Sequence, residues 1–208
     1  GAHWPAHEES ARQLAKQQDS PDPVHNNCSG KHTGFLTLAK QLGVKHQGYI
    51  NANHPVQQRI RSILETVCNM DFKKAPRGID GCSVPTWAIP LKQLALGMAR
   101  LGTGKEMPPR LKSSAEVIRK AMAHHPHMVA GSGRYCSRVI SHFKGRVLVK
   151  TGAEGIYCAT FPELDLGLAL KCHDGHRRAS ESALVALIEK LGILDETGLK
   201  KLHSKSLK

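Results

Sequence analysis

The chain has 208 residues and a net charge of +13, and apolar residues make up 40% of it. This length suits one domain or at most two small ones, with enough chain to bury a core. The longest apolar runs fall far short of a bilayer span, which argues against a membrane protein. Aromatic residues are only 4% and no RNA-stacking signature is present, so the basic surplus favours small anionic ligands over nucleic acid.

Hydrophobic periodicity predicts mainly helices first and strands near the end of the chain. The predicted helices cover residues 8–18, 32–42, 55–69, 91–101, 111–125, 134–143 and 177–191. Gly43 is expected to end the second helix and Pro55 to begin the third. The strand-like runs are 146–150, 156–160 and 166–172, joined by short turns that suit antiparallel pairing. Elements grouped in this way predict an α+β fold, with helices packed on an antiparallel sheet.

The domain organisation follows from the same pattern. Residues 1–194 are expected to form a single α+β domain, and residues 195–208 a charged, frayed tail. Residues 77–90 form a turn-rich stretch without helical periodicity, and residues 129–134 form a glycine loop.

Six cysteines are spread along the chain without a Cys-x-x-Cys pair or a disulfide-scaffold spacing. In a chain of this size they are typical of reduced thiols, and we therefore expect a cytoplasmic protein. Cys68 and Cys158 lie inside helix-like and strand-like runs, so they are interpreted as small buried residues.

The segment "HNNCSGKHTG" places Cys28, Lys31 and His32 around a turn that precedes an apolar run. A phosphate loop is excluded because its pattern fails at two positions, and a redox pair would need a second nearby cysteine. Two interpretations stay open. One is a metal half-site of Cys28 and Lys31, completed by Cys82 from the loop "DGCSVP"; the other is a pair of helix-start loops with buried thiols. Lysine is an unusual ligand, because its amine must lose a proton to bind a metal.

The segment "VLVKTG" ends a predicted strand with Lys150, Thr151 and Gly152. Lys-Thr-Gly at a strand end is an element of serine β-lactamases and penicillin-binding proteins, in which it flanks an acyl-transfer site opposite a Ser-x-x-Lys nucleophile. No Ser-x-x-Lys motif is expected in this chain. Cys28 and Lys31 have the spacing of that motif, but cysteine takes the place of the serine.

Five segments in order resemble the rhizobial-type L-asparaginase family, also called asparaginase II. They are "NNCSGKHTG", "HPVQQRI", "DGCSVPTWAIPL", "HHPHMVAGSGR" and "KTGAEGIYC…LGLALKCHDGHRRA". The resemblance runs from about Gly1 to Gly192 and implies a fold like that of the serine β-lactamases. Family members carry a further N-terminal segment with the Ser-x-x-Lys nucleophile and a second catalytic serine. The chain therefore resembles the C-terminal two-thirds of the enzyme, and by itself it is expected to be inactive.

The resemblance implies a role for each matching residue. Cys28, Lys31 and Cys82 correspond to zinc ligands, and His32 and Asp80 to polar residues near the substrate. Cys136 corresponds to a thiol that lines the pocket, and Lys150 to the lysine that partners the second serine. Plain structural roles stay open for four of them: a helix-start histidine at His32, a turn residue at Asp80, a small buried residue at Cys136 and an exposed strand-end lysine at Lys150.

The function expected from the resemblance is hydrolysis of L-asparagine to L-aspartate and ammonia by serine-lysine acyl transfer, with a zinc ion nearby. The family also suggests a homodimer. Two alternatives stay open: a catalytically inactive, zinc-stabilised module that binds amino acids or a partner, and a β-lactamase-like hydrolase.

Overall fold

The computed structural model describes residues 1–193 together with Gly198 and Leu202, and these residues form eight α-helices and five β-strands. The helices are α1 (Glu8–Lys16), α2 (Ser29–Leu42), α3 (Pro55–Cys68), α4 (Leu91–Thr103), α5 (Pro109–His124), α6 (Pro126–Ala130), α7 (Tyr135–His142) and α8 (Arg177–Lys190). The strands are β1 (Arg77–Ile79), β2 (Pro85–Trp87), β3 (Leu148–Thr151), β4 (Ile156–Phe161) and β5 (Leu166–Lys171). The α+β class is confirmed, and both sheets are antiparallel.

The backbone divides into two compact units. The first unit consists of Gly1–Glu65 and Asp71–Ala88, and the second of Thr66–Met70 and the chain from Ile89 onwards. The single domain expected for residues 1–194 stays a prediction. The tail expected at 195–208 lies outside the described residues, apart from Gly198 and Leu202. Among the described helices, none combines the length and the apolar character that crossing a bilayer would require.

The first unit contains α1, most of α3 and the two elements that matter for the site, α2 and the β1–β2 hairpin. Helix α2 begins at Ser29, three residues before its predicted start, and ends where Gly43 takes a left-handed φ of 66°. Helix α3 begins at Pro55 as expected. The hairpin pairs Arg77 with Trp87 and was not predicted, because three-residue strands show no readable alternation.

The second unit is built around a three-stranded sheet in the order β3-β4-β5, as the three strand-like runs predicted. One face of β4 carries Tyr157, Ala159 and Phe161 into an apolar core shared with α7 and α8. Neighbouring residues of a strand point to opposite faces, so Cys158 and Thr160 face the other way. Helix α4 lies against that second face, since an added Cβ on its Gly102 would meet the Thr160 side chain.

The backbone of β5 packs closely on the backbone of α4 at Gly167. A Cβ added there would lie 2.0 Å from the Ala95 carbonyl oxygen and 2.3 Å from the Ala99 nitrogen of α4. Only glycine fits at this point, which explains why a glycine stands in an otherwise apolar strand.

The short helix α6 was not predicted, because five residues are too few to show a helical period.

Candidate metal and active-site residues

Cys28 and Lys31 lie at the beginning of α2. The Cys28 backbone N–H donates to Asn26 Oδ1 at 2.8 Å, and its carbonyl accepts the His32 N–H at 3.0 Å. Asn26 thus closes the short turn that "NNCS" needs before the helix can start. Lys31 follows one helical turn after Cys28, so the two side chains lie on the same side of the helix start.

A tight turn between β1 and β2 carries Asp80 and Cys82. The Ser83 N–H donates to the Asp80 carbonyl at 2.8 Å, and the Gly81 N–H donates to Asp80 Oδ1 at the same distance. Ser83 takes a left-handed φ of 73°, which lets the chain reverse within four residues. The turn holds the Cys82 thiol 3.4 Å from Asp80 Oδ2.

These two loops meet in one cluster within the first unit. The Sγ atoms of Cys28 and Cys82 and a carboxylate oxygen of Asp80 all lie within 4.8 Å of one another. Lys31 Nζ donates to Asp80 Oδ2 at 3.1 Å, which adds a nitrogen to the set. Ligand atoms on one tetrahedral zinc lie about 3.3–3.8 Å apart, so small side-chain rotations would gather these donors around one ion. Two thiols and an amine, with a carboxylate beside them, are therefore a donor set that fits zinc.

Hydrogen bonding and burial set the charges in the cluster. The hydrogen bond from Lys31 holds the pKa of the Asp80 carboxyl below its ordinary value. Burial raises the pKa of the Cys28 thiol. For Lys31, burial acts against the charged form, but hydrogen bonds to Cys82 and Asp80 outweigh it and raise the pKa of the amine. A metal ion bound by these groups would have to displace protons from the thiols and from Lys31, so its affinity would fall with the pH.

His32 lies beside the cluster and lines a cleft of about 270 Å³ within the first unit. Its Nδ1 is 2.7 Å from the Tyr49 hydroxyl, and the two rings pack edge to face. Burial and the neighbouring Lys31 charge lower the pKa of His32, which favours the neutral imidazole. The other residues that line the cleft are Gly1, Pro23, Asn26, Ser29, Tyr49, Ile50, Cys82 and Ser83. A cleft below the usual 300–1,000 Å³, with both polar and apolar groups in its lining, suits a small molecule that carries polar groups.

Lys150 and Cys136 belong to the second unit. Lys150 is the third residue of β3, has an exposed side chain and donates from Nζ to the Thr151 carbonyl at 2.7 Å. Cys136, in the first turn of α7, is only 1% exposed. Its sulfur accepts the Thr151 N–H at 3.3 Å. The structure thus places Cys136 against the backbone of the strand end that carries Lys150.

The sequence does contain one Ser-x-x-Lys spacing, at Ser141 and Lys144, so the expectation that this motif is absent was wrong. Helix α7 ends at His142, and Lys144 has a left-handed φ of 51°. In the β-lactamase arrangement, serine and lysine lie one turn apart on the same helix. Because the helix ends between Ser141 and Lys144, this pair does not have the nucleophile geometry.

Sequence reasoning missed two tyrosines that contact site residues. Tyr49 bonds His32, and the Tyr157 hydroxyl lies 2.8 Å from the Cys136 sulfur. Tyr49 stands in an irregular loop without a recognisable pattern, so no sequence signal identifies it. Tyr157 stands opposite Thr151 in the β3–β4 register, which the predicted pairing of these strands could have suggested.

The family model for L-asparaginase II matches residues 1–208, the whole chain. No curated protein matches the chain.

Proposed function

The chain belongs to the L-asparaginase II family, and on this premise we propose that it is the part of an L-asparaginase that carries the zinc site and the strand-end lysine. The observation that carries this proposal is the meeting of Cys28, Lys31 and Cys82. Two loops far apart in the sequence bring their donor atoms together, and these are the three residues that the family resemblance pairs with zinc ligands.

Cys28, Cys82 and Lys31 would hold the zinc ion, and Asp80 would stand next to it. When bound, the ion would supply a fixed positive charge beside the cleft and would tie the α2 start to the β1–β2 turn. Lysine binds a metal only as the neutral amine. In that state Asp80 loses its cationic partner, and its carboxylate is available to the α-ammonium group of an amino acid.

Substrate recognition is assigned to the cleft that His32 lines. A neutral imidazole held at Nδ1 by Tyr49 presents Nε2 to a polar ligand. Asp80 would pair with the α-ammonium group of asparagine. Cys136 is assigned a supporting role at the strand end that carries Lys150. Its thiol is buried and binds the backbone there, so it is better placed to hold the strand than to contact a ligand.

Lys150 is assigned the proton transfers of amide hydrolysis. In acyl transfer, a serine hydroxyl attacks the side-chain amide of asparagine; its Oγ–C bond forms as the C–N bond breaks. A neutral lysine can accept the hydroxyl proton, and a proton is delivered to the leaving nitrogen, which departs as ammonia. Water then cleaves the acyl-serine and releases aspartate. The exposed Nζ at the end of β3 supports this role for Lys150.

The serine of this mechanism has no match in the segments that resemble the family, and the Ser141–Lys144 geometry does not supply it. We therefore propose that residues 1–208 alone hydrolyse asparagine poorly or not at all. The same geometry argues against a β-lactamase-like activity of these residues.

The proposal also includes a β-lactamase-like fold of the whole protein, a homodimer and a cytoplasmic location. The six free cysteines support a reducing compartment.

The test is ammonia release from L-asparagine by the protein as its gene encodes it, purified with zinc. Residues 1–208 alone are assayed in parallel. We expect turnover by the gene product and a rate lower by several orders of magnitude for residues 1–208. A zinc-loaded gene product that binds asparagine without releasing ammonia would support the inactive binding module instead. Normal turnover by residues 1–208 would locate the nucleophile within them.

A further inference from the structure

The Cys136 thiol connects three elements of the second unit. It belongs to α7, accepts the N–H of Thr151 on β3 at 3.3 Å and lies 2.8 Å from the hydroxyl of Tyr157 on β4. Thr151 and Tyr157 are direct cross-strand partners, so both contacts fall at one point of the sheet. One sulfur atom thus holds the last residue of β3 against a helix and against the neighbouring strand.

Two of the three residues in these contacts are buried. Cys136 is 1% exposed and Tyr157 is fully buried in the apolar core. Burial raises the pKa of the Tyr157 hydroxyl well above its ordinary value, so the tyrosine stays neutral and acts as a hydrogen-bonding group. A buried polar group that loses its partner cannot turn to water, and these contacts therefore restrain the strand end strongly.

The restrained backbone is also the one that binds the Lys150 amine. In the described sheet β3 is an edge strand, and the Thr151 N–H is directed to the sulfur. The Thr151 carbonyl accepts the hydrogen bond from Lys150 Nζ at 2.7 Å. A displacement of Thr151 would consequently move the partner that orients the lysine.

We propose that Tyr157 and Cys136 are positioning residues that hold the Thr151 backbone and thereby orient the Lys150 amine. The inference rests on the proposed catalytic role of Lys150. Neither residue needs to contact substrate. Their effect is on the geometry of the lysine, where a displacement of about 1 Å can lower turnover about a hundredfold.

Tyr135 offers a matched control for Tyr157. It lies in the same core, is 4% exposed and packs edge to face on Tyr157, with 6.3 Å between ring centroids. Within the part of the chain that the structure describes, its hydroxyl has no hydrogen-bond partner. Tyr157→Phe and Tyr135→Phe each remove one buried hydroxyl and keep the ring, and they differ in whether the lost hydroxyl contacts Cys136.

The experiment compares Tyr157→Phe and Tyr135→Phe in the protein as its gene encodes it. For Tyr157→Phe we expect kcat for asparagine to fall about tenfold to a hundredfold with little change in KM, and hydrogen exchange at the Thr151 amide to become at least about threefold faster. Tyr135→Phe should match the wild type in both measurements. Cys136→Ser keeps a donor and acceptor near Thr151, so it should retain more activity than Cys136→Ala.

The outcomes separate this inference from the proposed function. A wild type that does not hydrolyse asparagine would overturn the proposed function and this inference with it. An active wild type with equal kcat values for Tyr157→Phe and Tyr135→Phe would overturn the positioning role alone. Loss of activity in Tyr157→Phe without faster exchange at Thr151 would also count against it, because the effect would then not act through the strand end.

Discussion

The two units hold their candidate site residues by different forces. In the first unit, Lys31 and Asp80 are joined by polar contacts, and their side chains are 38% and 42% exposed. The buried apolar residues of that unit are few: Ala39, Val56, Phe72 and Val84. In the second unit, the Thr151 N–H next to Lys150 donates to the Cys136 sulfur, which contacts the Tyr157 hydroxyl, and Cys136 and Tyr157 belong to a large apolar core. A bound ion would therefore determine the geometry of the first site, and packing determines that of the second.

The largest expected effect is on the chemistry at Lys150. In the protein as its gene encodes it, Lys150→Met should lower asparagine turnover by about a thousandfold or more, since methionine keeps much of the volume but has no basic nitrogen. Zinc content and the circular dichroism spectrum should stay unchanged, because the side chain is exposed.

Lys171→Met is the matched control for Lys150→Met. Lys171 is also an exposed strand-end lysine of the same sheet, and it donates to the Cys172 carbonyl at 2.7 Å. We expect this variant to keep most of the activity. If Lys150→Met retained half of the wild-type rate, the lysine would have no part in the mechanism.

A second test concerns packing in the second unit. Gly167→Ala introduces a Cβ that clashes with backbone atoms of α4, and it should cost about 3 kcal/mol of unfolding free energy or more. Gly34→Ala, in α2 of the first unit, has open space and should be neutral or stabilising by up to about 1 kcal/mol. Urea denaturation of both variants measures the difference. Equal stabilities would mean that α4 does not pack closely on β5.

The third test removes the ion from the first unit. Cys82→Ser should abolish the binding of about one zinc per chain, measured by elemental analysis. With free zinc at about a hundred times its dissociation constant, that loss corresponds to about 2.7 kcal/mol of stability. Chelation should lower the Tm of the wild type and leave that of Cys82→Ser unchanged.

Cys172→Ser controls for the loss of a half-exposed thiol outside the cluster. It should bind zinc and respond to chelation as the wild type does. The same zinc content in the wild type and in Cys82→Ser would remove the metal from this site.

The smallest effect is expected for the surface pair of Arg146 and Glu163. Arg146 donates from Nε and Nη2 to the two carboxylate oxygens at 2.7 and 2.5 Å, and this contact lowers the pKa of Glu163. Because the pKa of Glu163 is lower in the folded protein, the ion pair stabilises the fold at pH values above the ordinary pKa of glutamate. This stabilisation is lost as the pH falls through the lowered pKa. Glu163→Gln should therefore reduce the Tm slightly at pH 7 and not at all in strong acid.

High salt should remove the same small difference at pH 7, because both side chains are more than half exposed. A difference in Tm that persisted in strong acid would show that the carboxylate charge is not its cause.

Local sequence signals were sufficient for most of the secondary structure. Gly43 ends α2 and Pro55 begins α3 because backbone dihedrals at these residues are decided within one or two positions. The three late strands were found because their apolar runs are long enough to show a pattern. The β1–β2 hairpin and α6 were missed because they are too short to show a period.

The sequence by itself determined the residue types of the candidate site and the α+β class. It supplied a thiol and an amine at the start of α2, a thiol in a turn-rich loop and a lysine at a strand end. These are local properties, since a motif and a helix start depend on neighbouring residues. The Ser141 and Lys144 spacing shows the limit of this reasoning, because a four-residue pattern does not reveal that the helix ends inside it.

Only the tertiary structure decided which of these groups meet. Lys31 and Asp80 meet each other and the two thiols only because the hairpin folds back to α2. The contact of Cys136 with Thr151 and Tyr157 depends on the packing of α7 against the sheet. Such contacts join residues that are distant in sequence, and their formation depends on the free energy of the whole packed unit, which no local pattern encodes.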